Sequence, residues 1–144
     1  PAHVAVGVDA ASKRDLFATV AGLFEASGGI ARASVVDALT AREKLGSTGL
    51  GQGIAIPHGR IRGLRDARGA FVRLAQPIPF DAPDGRPVSQ VFVLLVPEQA
   101  TEQHLELLSE LAQMFSERGF RERLAAAPDA AAAWSAIRDW APVA

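Results

Sequence analysis

A histidine in a tightly constrained segment is the residue of this chain best suited to covalent chemistry. His58 follows Pro57 and precedes Gly59 in the stretch Gly-Ile-Ala-Ile-Pro-His-Gly-Arg, residues 53–60. Proline fixes its own φ and restricts the preceding residue to extended geometry, while glycine leaves room for close approach. A neutral imidazole, with an ordinary pKa of ~6.5, is a usable nucleophile near neutral pH. The pattern predicts that His58 projects from the end of a buried strand into a loop region. It leaves open whether the histidine is a nucleophile or a hydrogen-bonded structural residue.

A glycine-rich segment precedes this histidine. Residues 46–53 run Gly-Ser-Thr-Gly-Leu-Gly-Gln-Gly and are superficially similar to nucleotide-binding loops. A P-loop, however, needs a Gly-Lys-Ser/Thr step into a helix, and no lysine stands there. A dinucleotide-binding loop follows a strand and opens a helix, whereas this segment follows a predicted helix and opens a strand. We therefore expect a connection with residues at positive φ, whose backbone N–H groups are candidates for holding an anion.

The rest of the composition excludes whole classes of site. The 144 residues include no cysteine and three histidines, His3, His58 and His104. Disulfides, thiolate metal sites, iron–sulfur clusters and cysteine nucleophiles are thus excluded, and neither a metal site nor a cofactor is expected. The longest apolar run, residues 91–96, is far short of the ~20 residues that span a bilayer. Residues 1–9 also lack the features of a secretory signal. We expect one cytoplasmic domain.

Charge is unevenly distributed along the chain. The formal net charge is −1, which argues against a general nucleic-acid-binding protein. Residues 60–73 nevertheless contain a single acid, Asp66, and five arginines: Arg60, Arg62, Arg65, Arg68 and Arg73. Such a stretch is either a solvated surface or a docking surface that attracts an acidic partner, and the sequence leaves both interpretations open.

The elements that must position His58 follow from the apolar patterns. Ser12 and Asp15 have the spacing of a capping box, and a helical pattern follows until two glycines at 28–29. Further helices are predicted over 33–45, 102–117, 118–126 and 129–140, and strands over 54–56, 70–74 and 91–96. Helices at both ends and strands in the middle predict an α/β fold with a mixed sheet flanked by helices on both sides.

Two stretches together resemble a known family. Residues 39–49, Leu-Thr-Ala-Arg-Glu-Lys-Leu-Gly-Ser-Thr-Gly, and residues 53–59 are similar to the signature of phosphotransferase-system (PTS) enzyme IIA domains of the fructose/mannitol type. The similarity is greatest to the nitrogen-regulatory branch and extends over residues 12–140. It implies a single three-layer α/β/α domain over residues 1–144. Residues 1–11 match the family poorly, and we expect them to be a flexible or trimmed N-terminal segment.

The resemblance also implies roles for individual residues. His58 would accept a phosphoryl group, Arg42 would stabilise it, and His104 would orient His58 or the phosphate. Arg60 is a second cation close by, and four residues of the glycine-rich segment would contact the phosphate or a partner protein: Ser47, Thr48, Gly49 and Gly51. For His104 the alternative is a core histidine, because it lies on the apolar face of its predicted helix.

The function that the resemblance implies is that of a nitrogen-regulatory phosphocarrier. Its donor would be the phosphohistidine of a small carrier protein, HPr or its nitrogen-branch relative NPr, and its phosphorylation state would control regulatory protein targets. The main alternative is a sugar-specific IIA component that passes phosphate to a separate IIB domain. A binding module without phosphotransfer is disfavoured because Arg42, His58 and His104 are all present. No nucleic-acid partner or membrane insertion is expected, and a homodimer is left open.

Overall fold

The computed structural model describes residues 4–28, 30–65, 67–80, 84–99 and 102–138, without the side chains at 27, 28, 102–105 and 138. His3 and Asp66 lie outside these ranges. Within them the elements follow in this order: β1 Val4–Val8, α1 Lys13–Gly28, α2 Arg32–Glu43, β2 Gly49–Gly51, β3 Ile54–Ala55, β4 His58–Ile61, β5 Arg68–Ile78, β6 Val88–Pro97, α3 Glu102–Ser116, α4 Arg118–Ala126 and α5 Ala130–Arg138.

The strands form one mixed sheet in the order β1-β5-β6-β3-β2, with β4 also paired to β6. The long pair β5 and β6 is antiparallel, from Arg68 opposite Leu95 to Ile78 opposite Val88. β1 runs parallel to β5, while β3 and β4 both run parallel to β6. The two strands on either side of Pro57, β3 and β4, therefore both pair with β6, which positions the segment around His58.

Helices cover both faces of this sheet because its central strands are apolar on both sides. Alternate residues of β5 divide the two cores. Ala70 and Val72 pack with α1 and α2 on one face, and Phe71 packs with α3, α4 and α5 on the other. The predicted three-layer α/β arrangement with a mixed central sheet is confirmed.

Helix α1 begins as its sequence predicts. Ser12 Oγ accepts the Asp15 N–H at 3.2 Å, and the Asp15 carboxylate accepts the Ala11 N–H at 3.3 Å. The carboxylate thus bonds one residue earlier than a standard capping box requires. Leu16, Val20 and Phe24 follow on one face and are fully buried, so the local signal and the tertiary packing agree.

Residues 4–8 form strand β1, although a flexible or trimmed segment is expected over residues 1–11 from the sequence. Val4 pairs with Phe71 and Val8 with Leu74, both in β5. The partner strand is distant in the sequence, so no local pattern indicates the pairing. The expectation of a flexible segment is wrong for residues 4–8.

The glycine-rich segment is not wholly a loop, because residues 49–51 form β2 in a hairpin with β3. The Ile56 N–H bonds to the Thr48 carbonyl at 3.1 Å beside this hairpin. Gly51, Gln52 and Gly53 make the turn with φ values of 88°, 57° and 79°. The predicted positive φ is thus confirmed. The prediction of a continuous loop is wrong, since a three-residue strand with glycine at both ends has no alternation to detect.

Candidate functional site

His58 is the first residue of β4, and it does not project from a strand end into a loop as the sequence predicted. Pro57 interrupts the chain between β3 and β4 because it has no N–H to donate, yet its carbonyl accepts the Leu94 N–H at 3.0 Å. The chain therefore continues along β6, and His58 lies opposite Leu94. The strand pairing holds the half-buried imidazole in a defined position.

Gly59 brings this strand directly against helix α2. A Cβ at this position would lie 2.9 Å from the Ala38 Cβ and 3.0 Å from the Ala38 carbonyl carbon. These separations are too short for packed carbon atoms, so the close approach predicted for this glycine is confirmed. The contact sets the last turn of α2, which carries Arg42, beside His58.

Both ring nitrogens of His58 have partners. The Nδ1 atom lies 3.0 Å from the Ile56 carbonyl oxygen, and the Arg42 Nε lies 3.1 Å from the Nε2 atom. A carbonyl only accepts hydrogen bonds and a guanidinium only donates them. These neighbours therefore assign the ring proton to Nδ1 and the lone pair, which accepts the Arg42 N–H, to Nε2.

A cleft of about 200 Å³ opens in front of this nitrogen. Arg42 reaches across it, and its Nη1 donates to the Gly46 carbonyl at 2.9 Å. The lining residues come from α2, the glycine-rich segment, the β3–β4 region and α3: Arg42, Ser47, Thr48, Gly49, Leu50, Ile56, His58, Leu108 and Ala112. The structure thus brings together five of the residues predicted from the sequence: Arg42, Ser47, Thr48, Gly49 and His58.

The backbone amides of the glycine-rich segment already have partners within the protein. The Thr48 N–H donates to the Glu43 carboxylate at 3.0 Å, and the Gly49 N–H donates to the Ser47 hydroxyl at 3.0 Å. The Gly46 N–H bonds to the Glu43 carbonyl at 3.1 Å. These three amides, which the sequence made candidates for holding an anion, are therefore not free to do so here, and Arg42 is the group that presents an N–H donor at Nε2.

Gly51 is held away from the cleft by Asp84. The Asp84 carboxylate lies 3.3 Å from the position that a Gly51 Cβ would take, and it accepts the Gln52 N–H at 2.9 Å. Hydrogen bonds from the backbone N–H groups of Gln52 and Arg86 hold the pKa of Asp84 below its ordinary value of 3.8. Gly51 therefore shapes the turn and does not line the cleft.

A partly buried ion pair beside Arg42 in the chain was missed from the sequence. The Glu43 side chain is 7% exposed and bonds to Lys13 Nζ, at the start of α1, over 2.9 Å. The Thr48 hydroxyl also donates to the Glu43 carboxylate. Glu43 is adjacent to Arg42 in the sequence, but the position of Lys13 in a separate helix left no local signal for the pair.

The arginines of residues 60–73 divide into two groups. Arg60, Arg62, Arg65 and Arg68 are exposed. Arg73 is half-buried, and its Nη1 donates to the carbonyls of Leu124 and Ala127 at 2.8 and 2.6 Å. Those carbonyls lie at the C-terminal end of helix α4 and at its C-cap, where backbone carbonyls lack a full set of partners within the helix. Arg73 is therefore a structural residue and not part of a solvated or docking surface.

His104 lies in α3, one turn before Leu108, which lines the cleft. Its side chain is outside the described residues, as is all of His3.

Elsewhere a wider depression of about 670 Å³ is lined by Asp9, Asp15, Gln76 and small neighbours, with neither histidine nor arginine among its lining residues. In the described ranges no three His, Asp or Glu side chains are grouped to hold a metal ion. No helix in those ranges is long and apolar enough to cross a membrane.

Comparison with known proteins agrees with this geometry. Residues 1–140 match the family described as "Phosphoenolpyruvate-dependent sugar phosphotransferase system, EIIA 2". A nitrogen regulatory protein of Pseudomonas aeruginosa is 51% identical over 106 residues, which are 74% of this chain and 69% of the relative. A nitrogen regulatory protein homolog of Haemophilus influenzae is 35% identical over 140 residues, 93% of this chain and 84% of the relative. The crystal structure of nitrogen regulatory protein IIA-Ntr from Neisseria meningitidis superposes with a TM-score of 0.89 at 48% identity, covering 94% of this chain and 93% of that one.

The chain therefore belongs to the EIIA 2 family of the phosphoenolpyruvate-dependent phosphotransferase system. Within this family the chain fits the nitrogen-regulatory branch, because the relatives just described are named as nitrogen regulatory proteins and are similar to it in sequence or fold. The resemblance predicted from residues 39–49 and 53–59 is confirmed.

Proposed function

We propose that the Nε2 atom of His58 accepts a phosphoryl group from the phosphohistidine of a small carrier protein of the HPr or NPr type. The pair of hydrogen bonds on the His58 ring carries this proposal, because they leave the lone pair on Nε2 in the cleft. The lone pair attacks phosphorus as the phosphorus–nitrogen bond of the donor breaks. The donor ring, which reacts with a proton on its other nitrogen, leaves as neutral imidazole with the electron pair of that bond. His58 keeps its Nδ1 proton on the Ile56 carbonyl and takes up the positive charge that the donor ring loses, so no proton has to move.

Arg42 is the residue we assign to stabilising the transferred group. Its guanidinium now donates to Nε2 and to the Gly46 carbonyl, and the first of these bonds must be released when phosphorus approaches. The freed N–H groups then face the phosphoryl oxygens, which a planar guanidinium can bind in a bidentate manner. A protein promotes phosphoryl transfer largely by stabilising the negative charge on the equatorial oxygens of the transferred group.

His104 is proposed to orient the phosphoryl group or the His58 ring. The support is its position one helical turn before Leu108, which lines the cleft. Arg60 is proposed as a second cation near the site. It is exposed and two residues beyond His58 on β4, so both residues belong to the same face of the sheet.

A docking face for the carrier is proposed around the cleft. Leu45 and Leu50 are 85% and 44% exposed on one side of it. On the other side, Arg60 and Arg68 flank β6 opposite Val96 and Leu95, and the turn between β4 and β5 carries two more exposed arginines, Arg62 and Arg65. Exposed leucines beside a cationic rim fit a protein partner with an apolar centre and acidic edges.

The phosphorylation state of His58 is proposed to control regulatory protein partners in the cytoplasm. A phosphoryl group adds about two negative charges beside the exposed leucines, which changes the proteins that can dock there. Several relatives named nitrogen regulatory protein favour this role.

The second candidate is a sugar-specific IIA component that passes phosphate to a IIB domain. It is favoured by the similarity to a fructose-specific EIIA component of Haloferax volcanii, which is 40% identical over 93 residues. Transfer of phosphate to a fructose-type IIB domain distinguishes the two.

The direct test is reconstituted phosphorylation. The protein is incubated with enzyme I, the carrier and phosphoenolpyruvate, and the phosphate is expected to be acid-labile and base-stable, as a phosphoramidate is. His58→Ala should take up none, while His3→Ala, the matched control, should take up as much as wild type. Equal uptake by His58→Ala, or none by wild type, would refute the proposal.

The role of Arg42 predicts a loss of rate without a loss of fold. Arg42→Ala should accept phosphate ~100-fold more slowly, the scale of losing one donor to a developing anion. Arg32→Ala is the control, since Arg32 lies on the same helix in an exposed pair with Glu25. Time courses of quenched reactions give the rate of phosphate uptake, and circular dichroism checks the fold. A rate within twofold of wild type would remove Arg42 from this role.

A further inference from the structure

We infer that Glu43 is a positioning residue that sets the tautomer of His58 through Thr48 and Ile56. The inference goes beyond the proposed acceptor role, although its bearing on rate rests on that role. Glu43 touches neither His58 nor the cleft-facing Nε2 atom, so its effect is transmitted by hydrogen bonds.

The chain of contacts begins with a buried carboxylate. The Glu43 side chain is 7% exposed, and one of its oxygens binds Lys13 Nζ at 2.9 Å. The other oxygen accepts both the N–H and the hydroxyl of Thr48. A buried carboxylate needs such partners to offset its desolvation. Because two donors of one residue point at one oxygen, Thr48 has a fixed backbone orientation.

The next contacts carry that orientation to the ring. The Thr48 carbonyl accepts the Ile56 N–H at 3.1 Å, which aligns the Ile56 residue in the strand pair. The Ile56 carbonyl in turn accepts the proton of His58 Nδ1 at 3.0 Å. Each step is a directional hydrogen bond. Thr48 and Ile56 each donate through the backbone N–H and accept through the backbone carbonyl.

The tautomer matters because the two forms differ at the attacking atom. With the proton on Nδ1, Nε2 holds a lone pair that Arg42 can bond and phosphorus can receive. With the proton on Nε2, that lone pair is occupied, and two N–H groups of Arg42 and His58 oppose each other. The Ile56 carbonyl and the Arg42 guanidinium both favour the first form, and we infer that Glu43 supports the selection by helping to hold that carbonyl in place.

The experiment reads the ring nitrogens of His58 by ¹⁵N NMR in the unphosphorylated protein. Wild type is expected to show the Nδ1-protonated tautomer. Glu43→Met keeps the length of the side chain but removes every acceptor, so the Nε2-protonated form should appear and carrier-dependent phosphorylation should slow about tenfold. Glu43→Gln keeps one acceptor oxygen for Thr48 and should retain most of the wild-type tautomer.

Two further variants separate positioning from stability. Lys13→Met breaks the ion pair but leaves both Thr48 bonds, so unfolding should become easier with no change of tautomer. Thr48→Val removes only the hydroxyl contact and should shift the tautomer partly, which also serves if Glu43→Met does not fold. An unchanged tautomer in the foldable variants Glu43→Met or Thr48→Val overturns the inference, as does an equal shift in Lys13→Met. Because the tautomer is read without phosphate, this outcome is independent of whether His58 is ever phosphorylated.

Discussion

At the scale of single residues, Asp84 shows how one carboxylate can hold an unfavourable backbone. Gln52 adopts a φ of 57°, a conformation that costs free energy for a residue with a side chain. Asp84 accepts its N–H at 2.9 Å and the Arg86 N–H at 3.0 Å. The charged carboxylate therefore stabilises the turn that leads from β2 into β3.

This arrangement predicts a dependence of stability on pH. The bonds from the Gln52 and Arg86 amides lower the pKa of Asp84 in the folded state below its ordinary value of 3.8. A lowered pKa contributes stability that is fully present above the unfolded value and is lost as the pH falls through the folded value. The difference in the free energy of unfolding between wild type and Asp84→Asn should thus be constant near neutral pH and should close below pH 3.8.

Denaturant titrations of both proteins at neutral and acidic pH measure this difference. Asparagine keeps the side-chain shape but removes the charge and one of the two acceptor oxygens, because the Gln52 and Arg86 N–H groups bind different oxygens of Asp84. Since asparagine does not titrate, the change of the difference with pH reports the ionisation of Asp84. A difference that does not change with pH would mean that shape, and not ionisation, supports the turn.

At the scale of elements, the packing of β4 on α2 predicts the effect of one methyl group. Gly59→Ala places a Cβ 2.9 Å from the Ala38 Cβ, and such overpacking costs about 1–3 kcal/mol. Adding Ala38→Gly should recover part of the loss. Gly119→Ala in α4 is the matched control, since nothing lies within 4 Å of its added Cβ.

Chemical denaturation of these variants gives the result. The control should be neutral or more stable, because alanine favours helix over glycine. The Gly59 variant should also accept phosphate more slowly, since the strand that moves begins at His58. Equal stability of the Gly59 and Gly119 variants would contradict the close packing.

The elements also show where sequence reasoning succeeds and where it stops. Helix α1 was predictable because its cap and its apolar face lie within one segment. Strand β1 was not, because its partner β5 is distant in the sequence. Pro57 and Gly59 made His58 a candidate site residue, but its tautomer depends on the Ile56 carbonyl, whose direction no residue type encodes. The Lys13–Glu43 pair joins two helices and likewise appears only in three dimensions.

At the scale of the whole molecule, charge is unevenly distributed: the net charge is −1, yet four exposed arginines, Arg60, Arg62, Arg65 and Arg68, lie on and after the strand that begins at His58 and form the proposed cationic rim. If this rim steers an acidic carrier, the triple variant Arg62→Glu, Arg65→Glu and Arg68→Glu should slow transfer from the carrier about tenfold at low salt. The dependence of the rate on salt should weaken as well. Phosphorylation by a small donor such as phosphoramidate should not change, since it needs no docking.

The matched control reverses three exposed arginines elsewhere, Arg14, Arg86 and Arg118. It has the same net charge as the triple variant and should accept phosphate from the carrier close to the wild-type rate. Equal slowing in both proteins would indicate that total charge, and not the rim, governs the encounter.

The two bonds of Arg42 have a consequence for signalling. One guanidinium holds both the His58 ring and the Gly46 carbonyl, and the residue before Gly46 is the exposed Leu45. If His58 is phosphorylated as proposed and the guanidinium moves from the ring to the phosphoryl group, its hydrogen bond to the Gly46 carbonyl would change as well. Arg42 would then link the phosphorylation state of His58 to the exposed Leu45 surface. A partner protein could then distinguish the phosphorylated from the unphosphorylated protein without contacting the phosphate.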